Sequence, residues 1–221
     1  MTLLEAKALT LAYGETTALN GVDLTVEPGD RLALMGPSGS GKSSLLHCLA
    51  GVLRPTGGEV WFEGSRFDTA SESTRSRARL ARMGMVFQFG DLIPELTMVE
   101  NVMLPLQVLG RRGARERALE LMDRLGIAEQ ADKRTGAVSG GQAQRAAVAR
   151  ALAHEPAVVL ADEPTGSLDS LTAESVLDAM VEVTAELGAA LVVVTHDHTV
   201  AAHLDRLVVL RDGLVHVPVI A

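Results

Sequence analysis

Short apolar runs bounded by turn signals alternate along this chain with stretches of helical spacing. Val22-Asp23-Leu24-Thr25-Val26 alternates apolar and polar with period two, and residues 3–33 read as antiparallel strands. Glu27-Pro28-Gly29-Asp30 is a turn signal leading into Arg31-Leu32-Ala33-Leu34-Met35, an apolar run of strand length. Ser44-Leu45-Leu46-His47-Cys48-Leu49-Ala50 is apolar at helical spacing, with Gly51 as its stop. After Gly57-Gly58, residues 59–63 predict a strand. Residues 65–79 are rich in Ser, Thr and Arg, which predicts a surface loop with room for a short helix and its charges in solvent. Gly84-Met85-Val86-Phe87-Gln88 predicts a buried strand ending at a glutamine.

From Phe89 to about Glu155 the pattern is helical, with Pro94 and Pro105 interrupting only its early part. Residues 115–125 place Ala118, Leu121, Met122 and Leu125 on one face, pair Glu120 with Arg124 at i,i+4, and stop at Gly126. Strand signals return with Ala157-Val158-Val159-Leu160-Ala161, a continuous apolar run that fits a strand covered on both faces. Residues 171–187 predict an amphipathic helix and residues 189–195 another buried strand. Residues 207–210 and 214–215 predict a hairpin around Arg211-Asp212-Gly213. The pattern is therefore one domain over residues 1–221, with an α/β core from 1–88 and 156–221 and a helical lobe over 89–155. The hairpin is expected to close the chain without a further regulatory domain.

Composition adds limits. With 47% apolar residues and only 3% aromatics, the core of this 221-residue chain must be aliphatic. The net charge of −8 argues against a general nucleic-acid binder, which carries a basic face. The single cysteine, Cys48, lies on the apolar side of its helix and reads as a buried thiol. The amino terminus lacks a basic segment followed by an apolar run, and no apolar stretch approaches the roughly 20 residues that span a bilayer. A cytoplasmic protein is expected, one that reaches a membrane only through another chain.

The chemistry starts at Gly36-Pro37-Ser38-Gly39-Ser40-Gly41-Lys42-Ser43, which fits the phosphate-binding loop pattern G-x-x-x-x-G-K-[ST] between a strand and a helix. Glycines let the backbone turn its N–H groups inward, and the helix N-terminus adds partial positive charge. Lys42 can then reach the β- and γ-phosphates, and the Ser43 hydroxyl can ligate Mg²⁺. Gln88, Asp162-Glu163 and His196 each sit at the carboxyl end of a predicted buried strand, the edge where open α/β sheets bind ligands. Asp162 fits a second metal oxygen and Glu163 an activator of water. Tyr13, the sole tyrosine, reads as either a half-buried strand residue or a ring on which adenine stacks. Val138-Ser139-Gly140-Gly141-Gln142, with Gln144-Arg145 close behind, reads as a helix start capped by Ser139. Its paired glycines are poor helix formers and make sense where a ligand approaches the backbone.

Together these motifs resemble the ATPase subunit of an ABC transporter over the whole chain. Tyr13 is similar to that family's adenine-stacking aromatic, residues 36–43 to its Walker A loop, and Gln88 to its Q-loop. Residues 138–142 resemble the signature pentapeptide, residues 158–163 Walker B with a catalytic Glu163, Ser167-Leu168-Asp169 the D-loop, and His196 the switch histidine. Val138 and Ala143 depart from the usual leucine and glutamine at positions away from phosphate. Residues 91–106, especially Asn101-Val102-Met103-Leu104-Pro105-Leu106, are similar to the macrolide-exporter, lipoprotein-releasing and cell-division ATPases.

The resemblance implies an α/β fold with a P-loop NTPase (RecA-like) core, an antiparallel β subdomain and an inserted α-helical subdomain. It implies two copies dimerising head to tail around two ATP. Each ATP would be held by Lys42, the loop and Ser44 of one chain, and by Ser139, Gly140, Gly141 and Gln142 of the other. Mg²⁺ would be bound by Ser43 and Gln88, with Asp162 in direct or water-mediated contact. Glu163 would polarise the water, His196 would hold the water–phosphate geometry, and Asp169 would link the two sites. The partner implied is a separate transmembrane permease, with the ATPase on the cytoplasmic face and an export or lipoprotein-release output. The alternatives are force transmission to an envelope enzyme without transport, and a soluble ATPase acting on ribosomes or DNA.

Overall fold

The computed structural model describes residues 1–87, 91–166 and 168–216. In chain order they form β1 (Leu4–Tyr13), β2 (Thr16–Val26), β3 (Arg31–Met35), α1 (Lys42–Leu49), β4 (Gly57–Phe62), β5 (Ser65–Arg66), α2 (Glu72–Arg82) and β6 (Met83–Val86). There follow α3 (Met98–Val108), α4 (Ala114–Arg124), α5 (Gly140–Ala153), β7 (Val158–Asp162), α6 (Ser170–Leu187), β8 (Ala190–Val194), α7 (His198–Ala202), β9 (Arg206–Arg211) and β10 (Leu214–His216). One sheet is antiparallel, in the order β2-β1-β4-β5. The other runs β10-β9-β3-β8-β7-β6, parallel from β9 to β6 with β10 antiparallel at its edge.

The central strands read as unbroken apolar runs because both of their faces are covered. Leu32, Leu34, Val158, Leu160, Val192 and Val194 face one core, shared with α1 and the antiparallel sheet. Ala33, Val159, Ala161, Leu191 and Val193 face the other, shared with α3 to α6. On β2, by contrast, Val22, Leu24 and Val26 are buried while Asp23 and Thr25 are exposed, as a one-sided strand requires. Cys48 is buried in the first core, and burial pushes its thiol up to about 12.

Three local expectations are corrected. Residues 65–79 are not mainly a solvated loop: β5 and α2 occupy them, and Arg75 is buried. Ser71 caps α2 by accepting the Thr74 N–H, and Arg79 Nη1 donates to Gly51 O at 2.8 Å, so the helix is docked on the end of α1. Pro105 lies inside α3 without ending it, since Val99, Val102 and Leu106 hold that helix in the core. Arg124 does not pair with Glu120; it reaches Glu186 on α6 at 2.7 Å, and Glu120 takes Arg117. Asn101 is fully buried and spans residues 93–97, accepting the Ile93 N–H and donating to Ile93 O and Thr97 O. No described helix is long and apolar enough to cross a membrane.

Candidate active site

The loop joining β3 to α1 is shaped by contacts that exclude side chains. Gly36 (φ +150°) and Gly41 (φ +100°) lie in the left-handed half of backbone space. A Cβ would strike Leu210 O at the first and Ala18 O at the second. α1 then starts at Lys42 with no side chain capping its first turn, which leaves backbone N–H groups free for an anion. Lys42 Nζ donates to Gly36 O and Pro37 O, each at 2.8 Å, so the ammonium lies folded across the loop. Ser40 is buried within it.

A cleft of about 620 Å³ opens over this loop, a volume typical of small-ligand sites. Tyr13, Ser38, Gly39, Gly41, Lys42, Ser43 and Ser44 line it, with Asp162, Glu163 and His196 opposite. Tyr13 is half-exposed at its rim, and its hydroxyl is 3.5 Å from Ser44 Oγ. Asp162 is the last residue of β7. Glu163 follows in a left-handed conformation (φ +47°), unfavourable for a glutamate by about 1–3 kcal/mol. Its N–H donates to Val194 O at 2.9 Å, which fixes it beside the end of β8.

His196 follows β8, held by the Thr195 N–H to Leu34 O and by Asp197, which caps α7 through the Thr199 N–H. Its Nδ1 lies 2.7 Å from Glu163 Oε1. The Glu163 carboxylate, as hydrogen-bond partner and as charge, holds the His196 imidazole above its ordinary value. The pair thus holds a carboxylate within the cleft. Gln88 and Ser167 lie outside the described residues.

Residues 139–142 are elsewhere. Ser139 Oγ accepts the Gln142 N–H at 3.2 Å and Gln142 Oε1 accepts the Ser139 N–H at 2.9 Å, a reciprocal cap at the start of α5. None of the four lines the cleft, and space is open around Gly140. Asp169 caps α6 by accepting the Thr172 N–H at 3.1 Å, and Thr172 holds its carboxyl below the usual range.

The sequence model of the ABC transporter family matches residues 19–166. The chain belongs to the ABC transporter family. Two relatives are named lipoprotein-releasing system ATP-binding protein LolD. That of Legionella pneumophila (strain Lens) is 42% identical over 217 residues, covering 96% of each chain. LolD 2 of Caulobacter vibrioides is 46% identical over 202 residues, covering 90% of this chain and 89% of that one. Among solved structures, the dimeric post-hydrolysis state of the ATP-binding cassette MJ0796 bound to ADP and Pi superposes with a TM-score of 0.91. It is 39% identical and covers 97% of both chains. The expected P-loop core with its β and helical parts is thus the fold of this ABC transporter subunit, and its activity is that of an ATPase.

Two structural contacts lie outside what the motifs announce. Ala18 supplies the carbonyl against Gly41 and was visible only as a strand residue. Gln144, buried on α5, donates to Phe87 O at 3.1 Å. Its position four residues before the buried Val148, on the apolar face, was the signal that could have found it.

Proposed function

We propose that this chain is the ATP-hydrolysing subunit of an ABC transporter, acting as a pair of copies beneath a separate membrane permease of the lipoprotein-releasing type. The observation that carries the reading is the separation of two half-sites. Lys42, Glu163 and His196 share one cleft, whereas Ser139 and Gly141 lie at a helix N-terminus outside it. A helix start with small residues is an anion site, and the phosphate it fits belongs to a second copy. The dimeric MJ0796 cassette with ADP and Pi supports the pairing, and the names of the LolD relatives support the permease type. The pair would sit on the cytoplasmic face of the membrane, held by that permease.

In this reading Tyr13 stacks on adenine, while Lys42, Ser44 and the loop amides bind the phosphates. Ser139, Gly140, Gly141 and Gln142 of the second copy complete the γ-phosphate site, and Asp169 links the two sites across the interface. Ser43 and Asp162 bring hard oxygen donors into the cleft, a donor set that suits Mg²⁺, which keeps its remaining positions for phosphate and water. Gln88 would be a further ligand. A Mg²⁺ held there would supply neutralisation of charge on the transferring phosphoryl group. Glu163 accepts the proton of the attacking water, and His196 keeps that carboxylate and the γ-phosphate in register. Binding of ATP closes the pair and hydrolysis releases it, and the permease receives that motion.

Glu163→Gln tests the assignment, since an amide cannot accept the proton. Turnover should fall about 10²–10⁴-fold while ATP binding persists, and the variant should migrate as a dimer with ATP on size exclusion. Ordinary ATPase activity in this variant would remove Glu163 from the role given to it.

A further inference from the structure

The two sheets meet beside the cleft, and the turn of the β9–β10 hairpin joins them there. The Asn20 N–H on β2 donates to Gly213 O at 2.8 Å, and the Gly213 N–H donates to Ser40 O in the phosphate loop at 3.3 Å. One turn residue thus holds the antiparallel sheet with its carbonyl and the loop with its amide. β2 and β10 are the edge strands of their sheets, so each has backbone groups to spare for this junction. Close packing surrounds the two bonds. Leu210 O abuts Gly36 and Ala18 O abuts Gly41, so near that a Cβ on either glycine would collide. The walls of the cleft come from the two sides of this junction. Tyr13 and Ala18 belong to the antiparallel sheet, and residues 38–44 to the loop after β3 and the start of α1. Tyr13 is paired with Thr16 and Leu11 with Leu19, so a displacement of β2 is passed to Tyr13 through the ladder.

We propose that Gly213 is a positioning residue that sets the span between the adenine side of the cleft and its phosphate side. The turn favours a ligand that occupies both sides at once, an adenosine nucleotide, over one that fills the phosphate side alone. The reason is where a substituent would press. A Cβ at Gly213 meets Ala18 O at 3.0 Å and Asn20 N at 3.3 Å, both backbone of β2. The residue is also left-handed (φ +73°), where a side chain is strained. The disturbance therefore falls on the sheet that carries Tyr13 and Ala18, while the loop keeps its own turn and its glycines. The proposal rests on the stacking of Tyr13 on adenine described under Proposed function.

The test uses the full chain with ADP and inorganic pyrophosphate as probes. Pyrophosphate carries the two phosphates of ADP without the adenosine, so the ratio of the two affinities isolates the adenine side. Calorimetric titration reads both. Gly213→Ala should lower ADP affinity about three- to tenfold, the range of one net hydrogen bond, and leave pyrophosphate affinity at the wild-type value. Asn20→Pro removes the donor itself, at an edge strand where an N–H turned away from the ladder can be spared. It should lower the ratio in the same way, which keeps the proposal open to refutation where Gly213→Ala does not fold. Tyr13→Ala separates the two levels. If Tyr13→Ala leaves the ratio unchanged, the stacking role fails and the span proposed here fails with it. If Tyr13→Ala lowers the ratio but Gly213→Ala and Asn20→Pro do not, the stacking stands and the positioning role is overturned. In the double variant Tyr13→Ala with Gly213→Ala, the second change should add little. Full additivity, or equal losses for ADP and pyrophosphate, would make Gly213 a support of the fold alone and would also overturn the proposal.

Discussion

His196 Nδ1 and Glu163 Oε1 lie 2.7 Å apart with opposite exposures, the histidine side chain 75% accessible and the glutamate 16%. The exposed ring thus meets a largely buried carboxylate. Glu163 holds the imidazole above its ordinary value of 6.5, so the folded chain keeps that proton longer than the unfolded chain does. The stability this pair contributes is complete below that ordinary value and fades as pH rises through the raised one. The thermal midpoint gap between wild type and His196→Gln should accordingly be widest below that ordinary value and fade as pH rises through the raised one. It should be small and shrink with salt, since the ring is exposed. A gap that widens with pH contradicts the assignment of the proton to the pair.

Lys42 donates to two loop carbonyls, Gly36 O and Pro37 O, where β- and γ-phosphate oxygens would compete for it. Lys42→Ala removes a charge-assisted contact worth about 1.5–3 kcal/mol, or roughly 10- to 100-fold in ATP affinity. Calorimetric titration reads this directly, and binding equal to wild type would show that the ammonium never leaves the loop.

Tyr13 presents its ring at the rim of the cleft, and its hydroxyl makes only a long 3.5 Å contact to Ser44 Oγ. The ring is therefore the useful part. Tyr13→Ala should weaken ATP binding by about 1 kcal/mol, and Tyr13→Phe should leave it nearly unchanged. Equal losses in both variants would transfer the role to the hydroxyl.

The positions of Asp162, Glu163 and His196 were legible because each follows an apolar run whose length announces a buried strand. The run 157–161 became β7, with Val158 and Leu160 facing one core and Val159 and Ala161 the other. What stayed hidden depends on partners far along the chain. α2 is polar enough to read as a loop, and its anchor is tertiary: Arg79 on Gly51 O, with Arg75 buried beside it. Arg124 has an apparent i,i+4 partner in Glu120, but the bidentate pair with Glu186 on α6 is available only once two helices meet. The paired glycines at 140–141 read as a ligand site, yet within one copy they are the first turn of a capped helix. In the proposed pairing their use depends on a surface that a single chain does not contain.

That surface gives the sharpest test. A Cβ at Gly141 would lie 3.1 Å from Leu168 Cδ2, the end of a flexible side chain, so Gly141→Asp is tolerable within one copy. In a self-contained ATPase the change would alter stability alone. In the paired arrangement it places a carboxylate against the γ-phosphate held by the other copy, where like charges repel strongly in a closed interface. Gly141→Asp should therefore keep monomeric ATP binding within about a few-fold of wild type and lose both hydrolysis and ATP-driven association. Mixing decides between the two pictures. A Gly141→Asp chain combined with a Lys42→Ala chain retains one composite site made of an intact loop and an intact signature, while the other site carries both defects. With both chains also carrying Glu163→Gln, so that hydrolysis does not empty the site, sedimentation should show ATP-dependent association in the mixture that neither chain shows alone. If the mixture stays monomeric under conditions where the Glu163→Gln parent dimerises, each cleft works by itself and the composite site is wrong.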